Sequence, residues 1–186
     1  MSNVVKILGF AGSLRRKSYN KSLLRLAVEL CPKDARIDIF DLEGIPLFNQ
    51  DLERQPSERV REIKESIRAA DAILISTPEY NYSTPGVLKN AIDCASRPYG
   101  DNALEGKPVA IMGASIGMIG TARAQYHLRQ CFVFLNMHPL NRPEVMITFA
   151  PEKFDENGNL KDEQAKKLVT DILTALVAWT RKLKQK

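Results

Sequence analysis

Apolar positions along the chain alternate between short unbroken runs and three-four spacing. Val4-Val5-Lys6-Ile7-Leu8 reads as a short buried strand, and Leu23, Leu24, Ala27, Val28 and Leu30 then share one helix face. Cys31-Pro32-Lys33-Asp34 breaks that helix, and Arg36-Ile37-Asp38-Ile39-Phe40 alternates as a strand. From about Asp41 to Pro56, with Gly44, Pro46 and Pro56, runs a loop whose length suggests a functional or interface role. Ser57 is placed to cap a helix in which Val60, Ile63, Ile67 and Ala70 keep helical spacing. Ala72-Ile73-Leu74-Ile75-Ser76 has no polar face, the mark of a strand covered on both sides. Thr77 to Gly86 is a polar and aromatic loop with Thr84 as cap and Pro85 in the first turn, before a helix from Val87 to Ala95. Lys107 to Met112 gives a fourth strand, Gly113 to Gly120 a glycine-rich turn, and Thr121 to Leu135 a helix with Ala124, Leu128, Cys131 and Leu135 on one side. Pro143 to Phe149 is the fifth strand. Asp155-Glu156-Asn157-Gly158-Asn159 is a turn cluster, and Asp162 to Lys184 a terminal helix with a core stripe of Ala165, Leu168, Val169, Ile172, Leu176 and Trp179.

Strands alternating with helices make an α/β fold, and right-handed crossovers leave few topologies. The expectation is a flavodoxin-like doubly wound five-stranded parallel sheet of order 2-1-3-4-5 with helices on both faces. The first and third strands then meet at the switch point, where such sheets bind ligands.

Length and composition fit this picture. At 186 residues, with 44% hydrophobic and 26% charged, the chain is expected to form a single domain over residues 1–186 with a core that needs no staples. No apolar run approaches the roughly 18 residues of a membrane span, and the first residues lack a signal-like pattern, so the expected compartment is the cytoplasm, with no membrane partner. Cys31, Cys94 and Cys131 stand far apart and the histidines are only His127 and His138, which argues for packed thiols and against a metal site. The net charge of +5 is not gathered into a stripe with interleaved aromatics, so small anionic ligands are favoured over nucleic acid. Arg181-Lys182, Lys184 and Lys186 read as a solvated helix end that suits the dipole.

Three loops at one sheet edge carry the candidate chemistry. Gly9 to Asn20 joins the first strand to the first helix and offers Ser13, Arg15, Ser18 and Asn20. Unpaired first-turn N–H groups and the helix dipole favour an anion there, and a guanidinium with hydroxyls suits a phosphate. The plainer alternative makes Ser18 or Asn20 an N-cap and Gly9 and Gly12 turn residues. Thr77 to Gly86 occupies the same position after the third strand, although Tyr80 and Tyr82 also read as surface aromatics. The small residues of Gly113 to Gly120 let a backbone approach a flat ligand, or simply feed a helix. An anionic tail at the first loop and a flat, hydrogen-bonding body at the others describe flavin mononucleotide (FMN). A dinucleotide fits less well, because G-x-G-x-x-G is absent after the first strand.

Gly12-Ser13-Leu14-Arg15 with Ser18 and Asn20, Thr77-Pro78-Glu79-Tyr80-Asn81-Tyr82-Ser83, Leu88-Lys89-Asn90-Ala91-Ile92-Asp93, and Ala122-Arg123 followed by Gln125-Tyr126-His127-Leu128-Arg129 together resemble the NADPH-dependent FMN reductase family, and within it the bacterial chromate and quinone reductases. The likeness runs in register from about Ile7 to Pro143-Glu144. It implies that Ser13, Arg15, Ser18 and Asn20 hold the FMN phosphate. Pro78, Glu79, Tyr80 and Asn81 would line the isoalloxazine and ribityl region, largely through backbone groups, with Ser115 and Gly117 closing the far side. It further implies a homodimer or homotetramer in which Tyr82, Arg123, Tyr126 and Glu144 build a contact between subunits. Gly113-Ala114 depart from relatives that carry polar residues there.

The implied activity is an FMN-dependent NAD(P)H oxidoreductase that passes electrons from NADPH or NADH to a small-molecule acceptor such as a quinone, chromate or an azo compound. Chemistry of this kind resides in the cofactor, so no catalytic acid or base is named; no paired carboxylates are apparent and both histidines fall outside the three loops. Arg16 and Lys17 stand where a 2′-phosphate would meet them, or form a solvated patch. The alternatives are a flavodoxin-type electron carrier, normally acidic around its flavin where this chain is basic, and a non-catalytic FMN-binding module. A phosphoacceptor domain is set aside because Gly9-Phe10-Ala11-Gly12 supplies no acidic residue at the end of the first strand.

Overall fold

The computed structural model describes residues 4–185. The first three residues, on which the reading about a leader rests, and Lys186 of the basic terminal run lie outside that range. The elements follow as β1 (Val5–Ala11), α1 (Tyr19–Glu29), β2 (Ala35–Ile39), α2 (Glu58–Ala69), β3 (Ala72–Ser76), α3 (Gly86–Ala95), β4 (Pro108–Ala114), α4 (Ala122–Phe134), β5 (His138–Pro139), β6 (Val145–Ile147), α5 (Ala150–Lys153) and α6 (Glu163–Lys184). The sheet is parallel with order β2-β1-β3-β4-β5, and β6 also pairs with β4.

Because successive strand residues point to opposite faces, β1, β3 and β4 feed two cores at once. Ile7, Leu74, Ala110 and Met112 pack against α1 and α6, whereas Leu8, Phe10, Ile73, Ile75 and Ile111 pack against α2, α3 and α4. Each fully buried Leu, Ile or Phe contributes roughly 1.5–3 kcal/mol relative to exposure. This is why the central strands read as continuous apolar runs.

Four expectations change in detail. First, β1 runs on through Gly9-Phe10-Ala11 and β4 through Gly113-Ala114, so the loops begin later than the glycines suggest. Those glycines serve packing: a Cβ on Gly9 would stand 2.8 Å from Leu24 Cδ1, and one on Gly113 would run into Thr121 Oγ1 and stand 2.6 Å from the Thr77 carbonyl. Second, the fifth position of the sheet is broken. His138 pairs with Pro108 at one end of β4, and Val145 to Ile147 pair with Met112 to Ala114 at the other. Third, the α3 cap is Pro85, with no side-chain cap bond, while the Thr84 hydroxyl donates to the Ala124 carbonyl at 3.3 Å. Fourth, the helix stripes shift slightly. Val28 and Leu168 are exposed, Cys131 yields its core place to Phe132, and Leu173 and Val177 join the α6 stripe.

The long loop after β2 folds back over α2 and α3. Its Phe48 amide donates to Asn90 Oδ1 at 2.8 Å, and the Asn90 amide donates to the Pro46 carbonyl at 2.9 Å.

Candidate active site

The turn after β1 is fixed by sheet pairing and by a helix cap. Gly12 donates to the Ser76 carbonyl at 2.8 Å, and a Cβ there would crowd Leu88 Cδ2 at 3.1 Å and Pro78 Cδ at 3.3 Å. That close approach brings the loops after β1 and β3 together. Ser13 is buried, its hydroxyl oxygen accepting from the Arg15 amide at 3.3 Å. Ser18 caps α1: its Oγ accepts from Lys21 N at 3.4 Å and its carbonyl from Ser22 N at 3.0 Å. The amides of Tyr19 and Asn20 are left without an intrahelical acceptor, as at any helix start. Arg15 is exposed, belongs to no ion pair among the described residues, and lies 5.8 Å from the Tyr19 ring centroid.

Asn20 has different work. Its Nδ2 donates to the Ala114 carbonyl and its Oδ1 accepts from the Ala114 amide, both at 2.9 Å, and Oδ1 also accepts from Ser76 Oγ at 3.2 Å. The side chain therefore ties α1 to the ends of β3 and β4. Only one N–H remains for a ligand.

The loop after β3 closes on itself and on α4. Tyr80 and Ser83 exchange backbone bonds of 3.1 and 2.9 Å around Asn81 and Tyr82, both left-handed at φ 49 and 67, a tight turn of the primed type. Glu79 Oε2 accepts from the Arg123 and Ala124 amides at 3.0 and 3.3 Å, and Oε1 accepts from Arg123 Nε and Nη2, each at 2.5 Å. The Glu79 carboxylate beside it holds the Arg123 guanidinium's pKa above its ordinary value, and the guanidinium stacks 3.5 Å from the Tyr82 ring centroid. Ser83 Oγ lies 2.9 Å from His127 Nδ1, so one histidine does touch a loop from which sequence distance separated it. In the loop after β4, Ser115 Oγ accepts from Gly117 N at 3.1 Å, the Ser115 amide donates to the Ile147 carbonyl at 2.9 Å, and the Ser115 carbonyl accepts from the Ala150 amide at 3.0 Å.

These loops enclose a cleft of about 370 Å³, within the range of small-ligand sites. Ser13, Arg15, Ser18, Asn20, Pro78, Glu79, Tyr80 and Ser115 line it, joined by Tyr19, Ala114 and Ile116, which belong to the loops singled out in the sequence but were not among the expected cofactor contacts. Asn81, inside the tight turn, and Gly117, two residues past Ser115, lie outside the lining. Among the described residues the cleft lining has two charged side chains, Glu79, which is matched by Arg123, and Arg15, which is in no ion pair. Tyr82 with Arg123, and Tyr126 with Glu144 at 3.3 Å, are paired within the chain.

Burial, the largest cause at each, pushes all three thiols above their ordinary pKa, which keeps them protonated. Among the described residues no group of three His, Cys, Asp or Glu side chains is placed to hold a metal ion. The donor set of Ser13, Ser18, Arg15 and the α1 amides suits a phosphate, and the remaining walls suit a flat, partly polar body.

The family model described as NADPH-dependent FMN reductase matches residues 5–152. An NAD(P)H-dependent FMN reductase of Pseudomonas aeruginosa is 54% identical over 187 residues, covering 99% of this chain and 100% of that one. A 2-hydroxy-1,4-benzoquinone reductase of a Burkholderia species is 45% identical over 177 residues, 95% of this chain and 97% of the relative. Among solved structures, the flavoenzyme NAD(P)H:(acceptor) oxidoreductase of Paracoccus denitrificans superposes with a TM-score of 0.88 at 36% identity, covering 96% of this chain and 98% of that one.

Proposed function

We propose, for a chain that belongs to the NADPH-dependent FMN reductase family, that the cleft between the loops after β1, β3 and β4 is where it holds FMN. The protein is an FMN-dependent NAD(P)H oxidoreductase. The observation that supports this placing is the meeting of one unmatched guanidinium, two serine hydroxyls and a helix N-terminus at one end of the cleft.

In this reading Ser13, Ser18, Arg15 and the Tyr19 and Asn20 amides bind the phosphate. Asn20 acts mainly by fixing α1 to β4. Pro78, Glu79, Tyr80 and Ser115 form the wall along the ring, and Asn81 and Gly117 act from outside the lining. FMN, when bound, supplies a two-electron relay between nicotinamide and acceptor. The chain contributes position and electrostatics, and no side chain is assigned a proton-transfer role.

The acceptor class is a small molecule, with quinones first among those proposed and chromate and azo compounds after them. Arg16 and Lys17 would favour NADPH through its 2′-phosphate. The working unit proposed is one domain over residues 1–186, acting in the cytoplasm; among the described residues no helix is long and apolar enough to cross a membrane. A homodimer or homotetramer is proposed with Tyr82, Arg123, Tyr126 and Glu144 at the contact, of which Tyr82, Tyr126 and Glu144 are exposed in the single chain. Light scattering on the parent and on Tyr126→Ala checks that contact.

The test of the cofactor site is a visible spectrum of the purified protein, followed by turnover with NADPH and NADH against a small quinone panel. A flavin spectrum and quinone-dependent nicotinamide oxidation are expected. Protein that stays colourless after FMN is added contradicts the reading.

A further inference from the structure

Among the described residues Glu79 is the one carboxylate in the cleft lining, and its side chain is 7% exposed. Four donors from the first turn of α4 converge on it, two amides and two guanidinium nitrogens. The α4 cap residue itself, Thr121, sits at φ 74 and makes no side-chain cap bond, so Glu79 reaches across from another loop to do the capping. Among the described residues Arg123 pairs with no second acid, and its guanidinium also stacks on the Tyr82 ring. Within the chain, the Arg123 side chain is thus held between the Glu79 carboxylate and the Tyr82 ring.

We propose that Arg123 sets the electrical character of the cofactor cleft through Glu79, acting as a positioning residue that keeps a carboxylate in the cleft wall from opposing reduction of FMN. The inference rests on the reading that FMN occupies this cleft. Reduction of FMN adds negative charge to the cleft, and an uncompensated carboxylate in a poorly solvated wall would repel it. With Arg123 in place, Glu79 keeps its structural duty of capping α4 and tethering the loop after β3, while its charge is cancelled. The Arg123 and Ala124 amides still donate to the Glu79 carboxylate when the Arg123 side chain is removed, so the carboxylate keeps its place in the wall.

The sign of the response separates this role from a merely structural one. Arg123→Met, Glu79→Gln and the double variant are titrated as apoproteins with FMN, and the midpoint potential of bound FMN is measured for each at pH 8. Arg123→Met is expected to weaken FMN binding about tenfold or more, as when one partner of a buried pair is removed. It should also lower the potential, about 30 mV for each tenfold loss of preference for the reduced form. Glu79→Gln retains an oxygen acceptor for the α4 amides and is expected to raise the potential. The double variant should return towards the parent value, as expected for residues that act on one another. Arg123→Lys keeps the charge without the two-nitrogen grip and is expected to hold the parent potential, with Arg123→Gln standing in for the Met variant should that one fail to fold.

Opposed shifts in the two single variants, with recovery in the double, support the proposal. Shifts of the same sign, a double variant as defective as Arg123→Met, or a Lys variant that falls as far as the uncharged ones overturns it. Parent protein that binds no FMN overturns the placing of the cofactor instead; parent protein that binds FMN while its variants fail the sign test overturns this inference alone.

Discussion

The loop after β1 leaves its guanidinium bare, whereas the loop after β3 brings a carboxylate to the same cleft and then covers it. Arg15 is exposed with no acidic partner among the described residues; Glu79 is buried under four donors from α4. The first loop carries an unmatched cation among the described residues, and in the proposed reading the FMN phosphate meets it. The second is complete by itself and serves as wall. Loss of the packing and tethers beneath the second loop should therefore appear in unfolding of the apoprotein, and loss of the Arg15 side chain in ligand binding alone.

The largest effect is expected beneath the loops after β3 and β4. Gly113→Ala would force a methyl into Thr121 Oγ1 and to 2.6 Å from the Thr77 carbonyl, where neither neighbour is the free end of a long side chain. Overpacking of that kind costs about 3 kcal/mol, measured as a lower urea midpoint. Gly12→Ala meets Leu88 and Pro78 at 3.1 and 3.3 Å and should cost much less. Asn20→Leu comes next. It strands the amide and carbonyl of Ala114 in a buried setting and should destabilise the apoprotein by about 2–3 kcal/mol. Arg15→Ala falls on the other side of the comparison: FMN binding should weaken by roughly 1.5–3 kcal/mol, less at high salt, with apoprotein stability unchanged. Ser18→Ala blurs the division, because Ser18 caps α1 and, in the proposed reading, also offers a hydroxyl to the phosphate. It should cost about 1 kcal/mol in urea unfolding, along with some FMN affinity.

The same contrast governs how far the sequence could be read. The sheet order was legible because Ala72 to Ser76 and Val109 to Met112 are apolar on both faces, a pattern that parallel central strands require. The three loops were legible by position, at the carboxyl ends of strands that the order brings together. Glycines misled, because sequence does not distinguish a glycine needed for backbone freedom from one needed for space. Gly9 and Gly113 are of the second kind and lie inside strands. Side-chain destinations were hidden too. Asn20 looks like a phosphate ligand beside Ser18, yet a partner 94 residues away takes most of its hydrogen-bonding capacity. Glu79 and Arg123, 44 residues apart, carry no local spacing that announces a pair. The broken fifth strand was read only in its second half, since two residues at His138-Pro139 are too short for any alternation to register.

The central claim, that the loop after β1 is built to be completed by the FMN phosphate, is tested most directly by fluorescence titration of Arg15→Ala apoprotein with FMN, run beside urea unfolding of the same sample. A dissociation constant at least about tenfold above that of the parent, at an unchanged urea midpoint, is the result expected. An Arg15→Ala protein that binds FMN as tightly as the parent would contradict the account.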